Sequence, residues 1–183
     1  MSGLTIRRKA PIAGPISLAG VVPSKLAALA SYDVGALVVG ADKDGATLGD
    51  VFTISGTAGD TLTIEADGAA LDLVGSGLDG GTLRLIGNAG AQAGRKMTGG
   101  TLDITGSAGN YLASGMTGGM SFVGGSAGDN LGGVLPGDRF GMAGGTVVVE
   151  GSIGARAGDK MRRGTVVVRG KTGPGAGTRM IGG

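Results

Sequence analysis

The sequence predicts an all-β chain wound as a parallel β-helix, a solenoid with Gly-rich coils of about 19 residues. Three observations carry that expectation. A double-glycine start recurs at a fixed spacing, the same short β-branched strand follows it each time, and glycine is abundant without the collagen pattern. The chain has 183 residues, 43 of them glycine and only 5 proline. Collagen would need glycine at every third position with abundant proline, so that class is excluded.

Residues 1–47 are expected to form a short N-terminal segment, partly helical and partly irregular, that packs on the coils. Ser24 followed by Lys25-Leu26-Ala27-Ala28-Leu29-Ala30 reads as a capped short helix. Such a segment is too small for a core of its own. Arg7-Arg8 precede a mildly apolar stretch as in an export signal, but Pro11 and Pro15 interrupt it, so the chain is expected to stay cytoplasmic. Residues 51–59 and 61–68 resemble half coils of unequal length, which places the β-helix at 48–183.

The regular coils start at Gly80, Gly99, Gly118, Gly144, then Arg163 in the same slot, then Gly182. Each step is about 19 residues except the longer one from Gly118 to Gly144. Residues 134–140, VLPGDRF, account for that long step as a surface loop. Slots three to seven read TLRLI, TLDIT, MSFVG, TVVVE and TVVVR, an alternation that means a strand. Leu83 and Leu85, Leu102 and Ile104, Val147 and Val149, and Val166 and Val168 should therefore point inward. Ser121 departs from that file in the third coil. Glycines end each strand at 87, 106, 125, 151 and 170 and recur three residues later, which marks corners. Met97, Met116, Met142, Met161 and Met180 share slot eighteen and should stack as flexible core filler. The chain stops in the first slots of a sixth coil without a polar cap, so a partner or further chain is expected over that end.

Function classes can be excluded as well. There is no cysteine and no histidine, which removes thiolate nucleophiles, imidazole bases and the common zinc and haem ligands. The carboxylates Asp103, Asp129, Asp138, Glu150 and Asp159 share no slot that would pair two of them for acid/base work, and no serine has a histidine to activate it. Residues 75–80 match the GxGxxG dinucleotide fingerprint, but a strand follows where a helix is required. The Lys171-Thr172 pair after Gly170 lacks the spacing of a phosphate loop. Hexapeptide-repeat acyltransferases need an 18-residue coil and usually a histidine, and ice-binding solenoids need flat threonine ranks, so neither class fits. No catalytic, cofactor or metal ligand residue is assigned, and neither nucleic acid nor membrane is expected as a partner; no apolar run is long enough to span a bilayer.

Two surfaces are candidates for contact. The outward fifth slot reads Arg84, Asp103, Phe122, Val148, Val167, and its contiguous apolar part, Phe122, Val148 and Val167, suggests a protein contact. Charge is uneven: residues 1–79 carry 5 basic and 9 acidic side chains, a balance of −4, and residues 80–183 carry 11 and 5, a balance of +6. Arg156, Lys160, Arg162 and Arg163 stand in that late surplus as anion-facing candidates.

The coil GGTVVVEGSIGARAGDKM, with LGDVFTISG at 48–56, resembles the C subunits of formylmethanofuran dehydrogenases and of bacterial formyltransferase/hydrolase complexes. It is more distantly similar to the C-terminal GXGXG domain of the glutamate synthase large subunit. The resemblance covers about residues 48–183 and implies a right-handed β-helix, the hand expected for parallel crossovers. It further implies a structural subunit without an active site of its own. The chemistry would lie in an amidohydrolase-like subunit and a formyltransferase subunit, which use tetrahydromethanopterin and a methanofuran-type carrier in one-carbon metabolism. The alanine-rich, cysteine-free composition favours the methylotroph complex over the methanogen one. A glutamate synthase-type structural domain and a free-standing anion-binding solenoid are the alternative readings.

Overall fold

The computed structural model describes residues 3–9, 16–29, 31–39 and 46–182; Pro11, Pro15, Ala30 and Gly183 lie outside them. From the N-terminus come β1 (Leu4–Arg8), β2 (Ile16–Ser17), α1 (Pro23–Ala27), α2 (Ser31–Gly35), α3 (Leu48–Val51) and β3 (Phe52–Gly56). The rest of the chain supplies β4 (Thr61–Asp72), β5 (Thr82–Ala89), β6 (Thr101–Ile104), β7 (Met120–Val123), β8 (Ala143–Val149) and β9 (Arg163–Val168). Strand dominates and the helices are short, in keeping with an all-β chain.

The strands β4 to β9 lie side by side in chain order, each parallel to the next. Leu83 pairs with Leu102 and Leu102 with Ser121, one repeat apart each time. Ser121 pairs with Val147 across the longer step, so the inserted segment leaves the register intact. A second line of parallel bridges joins Ala108, Ala127, Ile153 and Thr172. Side chains on a strand alternate between faces, and the inner file follows: Leu62, Ile64, Leu83, Leu85, Leu102, Ile104, Val147 and Val149 are fully buried, with Val166 and Val168 partly so. The methionine file is buried from Met97 through Met161, whereas Met180 is 42% exposed. Two further files complete the core, one through Ala89, Ala108, Ala127 and Ile153 and one through Ala93, Leu112, Leu131 and Ala157.

The corners differ in kind from one another. At Gly106 and Gly109 an added Cβ would fall 2.5 Å from the Gly87 carbonyl oxygen and 2.7 Å from the Gly90 backbone. Close approach of backbone one repeat apart is what requires glycine there. Positive φ occurs elsewhere, at Leu73, Gln92, Tyr111, Asn130 and Arg156, one repeat apart, and at Lys96, Lys160 and Arg179. Left-handed backbone costs a non-glycine residue about 1–2 kcal/mol. Hydrogen bonds to both neighbouring repeats offset it: Gln92 N–H donates to Asn110 O and Gly94 N–H to Val74 O, one forward and one back along the chain.

The N-terminal segment departs from expectation in three respects. β1 is a strand of the main sheet, parallel to β4, and carries Leu4 and Ile6 into the inner file. β3, read from sequence as a half coil, runs antiparallel to β1 at the sheet edge, whereas β4 is a full member of the sheet between β1 and β5. Helix α1 has Val22 at its N-cap and Pro23 as its first residue, with no side-chain cap. Pro23, pre-set for the first helical position, shifts the start, and the Ser24 hydroxyl donates instead to Asp79 Oδ1 at 2.6 Å. The capping box belongs to α3, where Thr47 and Asp50 bond each other's backbone N–H. Val21, Val22, Leu26, Val34, Leu48 and Phe52 continue the core at that end of the sheet.

Candidate functional site

The outward face of β5 to β9 carries the first candidate surface. Phe122 pairs with Val148 and Val148 with Val167 across adjacent strands, so the three form one row. Phe122 and Val167 are 36% and 40% exposed, Val148 is half-buried, and Met120 beside Phe122 is 43% exposed. Ion pairs bracket the row, Arg84 with Asp103 at 3.5 Å and Arg169 with Glu150 at 2.9 Å. Beside Phe122 lies a shallow groove of about 470 Å³ walled by Phe122, Val148, Thr105, Asp103 and Glu150. Such a row can bury apolar area against a flat partner while its rim stays hydrated.

The second candidate lies at the corners under the inserted loop. Arg156 and Lys160 line a cleft of about 290 Å³ together with Tyr111, Asn130, Asp138, Asp159 and Arg179, roofed by Val134, Leu135 and Pro136. Arg162 and Arg163 do not join them: they flank a separate opening beside Ala143 and Ile181. The Arg162 guanidinium stacks on Phe140, the last residue of the insertion, with its Cζ 4.1 Å from the ring centroid. The four anion-facing candidates are thus divided between two places.

Electrostatics in the cleft centre on Asp159, which is 4% exposed. Arg179 donates from Nε to Oδ1 at 2.8 Å and from Nη2 to Oδ2 at 2.5 Å. That bidentate contact holds the Asp159 carboxyl below the ordinary carboxylate range although burial pushes it up, and the charges of Arg179, Lys160 and Arg156 act in the same direction as the hydrogen bonds. Asp138, carried by the loop, reaches Arg95 at 3.5 Å and Lys96 at 4.0 Å. Tyr111 and Asn130 were not singled out from sequence, and Asp138 stood there only as an unpaired carboxylate. The signal available was that Tyr111, Asn130 and Arg156 share slot thirteen immediately around the one insertion. Among the described residues no three His, Cys, Asp or Glu side chains cluster to hold a metal ion, and no helix is long and apolar enough to cross a membrane.

No family model matches the chain. Over 86 residues, 47% of its length, it is 40% identical to the C subunit of the formyltransferase/hydrolase complex Fhc of Methylorubrum extorquens. That stretch spans 32% of the curated relative, about a third of its length. The fold is also similar to a chain in the X-ray crystal structure of the formyltransferase/hydrolase complex (FhcABCD) from Methylorubrum extorquens in complex with methylofuran. The TM-score is 0.88 and the identity 35%, covering 95% of this chain and 73% of that one.

Proposed function

This chain belongs to the family of C subunits of formyltransferase/hydrolase complexes, and from that premise we propose that it is the non-catalytic structural subunit of such a complex. The observation that carries the proposal is the likeness to a chain of the solved complex, which runs over 95% of this chain at 35% identity. In this reading the coils wind as a right-handed β-helix over residues 48–183, and residues 1–47 pack on its first turns. The subunit scaffolds an amidohydrolase-like subunit and a formyltransferase subunit in the cytoplasm. Those partners pass a formyl group from tetrahydromethanopterin to a methanofuran-type carrier and release it as formate, and this chain holds neither cofactor.

Physical support comes from the row of Phe122, Val148 and Val167. Phe122 and Val167 keep 36% and 40% of their surface exposed, so covering the row contributes roughly a third to a half of the about 1.5–3 kcal/mol that full burial of each side chain is worth, within a rim that is already ion-paired. The test is to tag the chain in its native cells and identify what co-purifies by mass spectrometry. Recovery with an amidohydrolase-like protein and a formyltransferase supports the scaffold. Recovery with an amidotransferase and a flavoprotein would replace it with the glutamate synthase-type reading, and a clean monomer would leave a free-standing solenoid.

A further inference from the structure

We propose that the cleft under the inserted loop binds a phosphate group carried by a small molecule, held by Arg156, Lys160, Asn130 and Tyr111. The cleft is formed by this chain alone and does not depend on the scaffold reading.

The first argument is an imbalance of charge. Asp159 is saturated by the bidentate Arg179, and Asp138 is shared between Arg95 and Lys96. Arg156 and Lys160 line the same space and make no ion pair within 4 Å among the described residues. Five cations therefore surround two carboxylates, and two of the five are left without an ion-pair partner.

The second argument is an unpartnered amide. Asn130 is 6% exposed and lines the cleft, yet its side chain makes no hydrogen bond among the described residues. Its amide reaches the cleft and is free to donate to, or accept from, a group that enters it. The equivalent side chain two coils earlier is satisfied locally, Gln92 accepting from Arg95 at 3.1 Å. Polar side chains close to Asn130 follow the same rule, since Asn110 and Asp129 accept backbone N–H groups of the next coil at 2.8 Å. Asn130 is the polar side chain of this set that keeps its capacity for the cleft.

Phosphate fits this donor set better than a carboxylate does. Arg and Lys offer several charged N–H groups, Asn two and Tyr one hydroxyl, and phosphate presents more acceptor oxygens and more charge to them. A volume of about 290 Å³ suits a monoester with a short carbon body, which Val134, Leu135 and Pro136 would cover, and is small for a nucleotide.

The test is a titration of the 183-residue chain with inorganic phosphate and with glycerol phosphate, followed by phosphorus NMR line broadening at low salt. Asn130→Asp places a like charge in the cleft at constant shape, and Lys160→Gln and Arg156→Gln remove the free cations; Arg156 is exposed, so its variant keeps the fold. Arg169→Gln, on the outward face, is the control. Saturable binding is expected in the parent and in Arg169→Gln, weakened by about tenfold or more in the other three, with the circular dichroism spectra those of the parent. No saturable binding, or equal binding by the parent and Arg156→Gln, would mean adventitious ion contact only and would overturn the site. Displacement of phosphate by acetate or succinate at equal concentration would overturn its assignment to phosphate.

Discussion

At the scale of single residues, the informative positions are those that break a file. Ser121 stands where neighbouring coils hold Leu102 and Val147, is fully buried, and its hydroxyl has no partner. Removing an unsatisfied buried hydroxyl gains about 1–3 kcal/mol, and the extra methyl of valine gains more if the space used by Val147 is available, less any overpacking. Ser121→Val is expected to stabilise the chain by about 1 kcal/mol in chemical denaturation; a loss would show that the file narrows at the third coil. Asp159 gives the opposite kind of prediction. Its folded-state pKa is depressed below 3.8, chiefly by the Arg179 hydrogen bonds, so its contribution is present above the unfolded value and is lost as pH falls through the folded one. Arg179→Gln should therefore lower stability at neutral pH, and the gap between parent and variant should close as pH drops below about 3.8. Parallel melting curves down to about pH 3 would remove this pair from the account of acid stability.

At the scale of the repeat, two types of glycine make distinct claims. Gly109→Ala would set a Cβ 2.7 Å from the Gly90 backbone, which forces two coils apart, at a cost of about 2–3 kcal/mol. Gly77 has positive φ but nothing within 4 Å of an added Cβ, and its slot elsewhere holds Lys96, Lys160 and Arg179. Gly77→Ala should cost only about 1 kcal/mol, and comparable losses for the two variants in urea denaturation would contradict the close-approach explanation. The strands were legible beforehand because two periods coincide, alternation along the strand and recurrence once per coil. The files through Ala89 and Ala93 were not, since alanine carries too little apolar signal to mark a buried slot. The left-handed corners were hidden for a different reason: Leu73, Gln92, Tyr111 and Arg156 do not favour that conformation, and what compensates it is hydrogen bonding between coils, which no local pattern reports. β1 was missed because its alternation is too short to register before Arg7-Arg8 begin.

At the scale of the whole molecule, the two candidate surfaces are lined by different residues and ask for different chemistry. The apolar row could be read from sequence because each of its members occupies the same slot of the repeat. The cleft could not, since the insertion brings Asp138 onto Arg95, 43 residues earlier in the chain, and Arg156 and Lys160 line a different opening from Arg162 and Arg163. This separation makes the assembly proposal testable without disturbing the cleft. Val148 sits at the middle of the row, half-buried and flanked by Phe122 and Val167. Val148→Lys leaves the inner file through Val147 and Val149 untouched, and a lysine on an outward strand position can extend into water in the isolated chain. Against a partner the same ammonium would be desolvated beside carboxylates, Asp103 and Glu150, that are already paired with Arg84 and Arg169, adding to the loss of the valine's apolar contact. Recovery of partner subunits on the tagged variant should fall by about tenfold or more, while the circular dichroism spectrum and melting temperature of the isolated chain stay those of the parent. Full recovery of the partners on Val148→Lys would remove this row from the interface and direct the search to the exposed edge of β9.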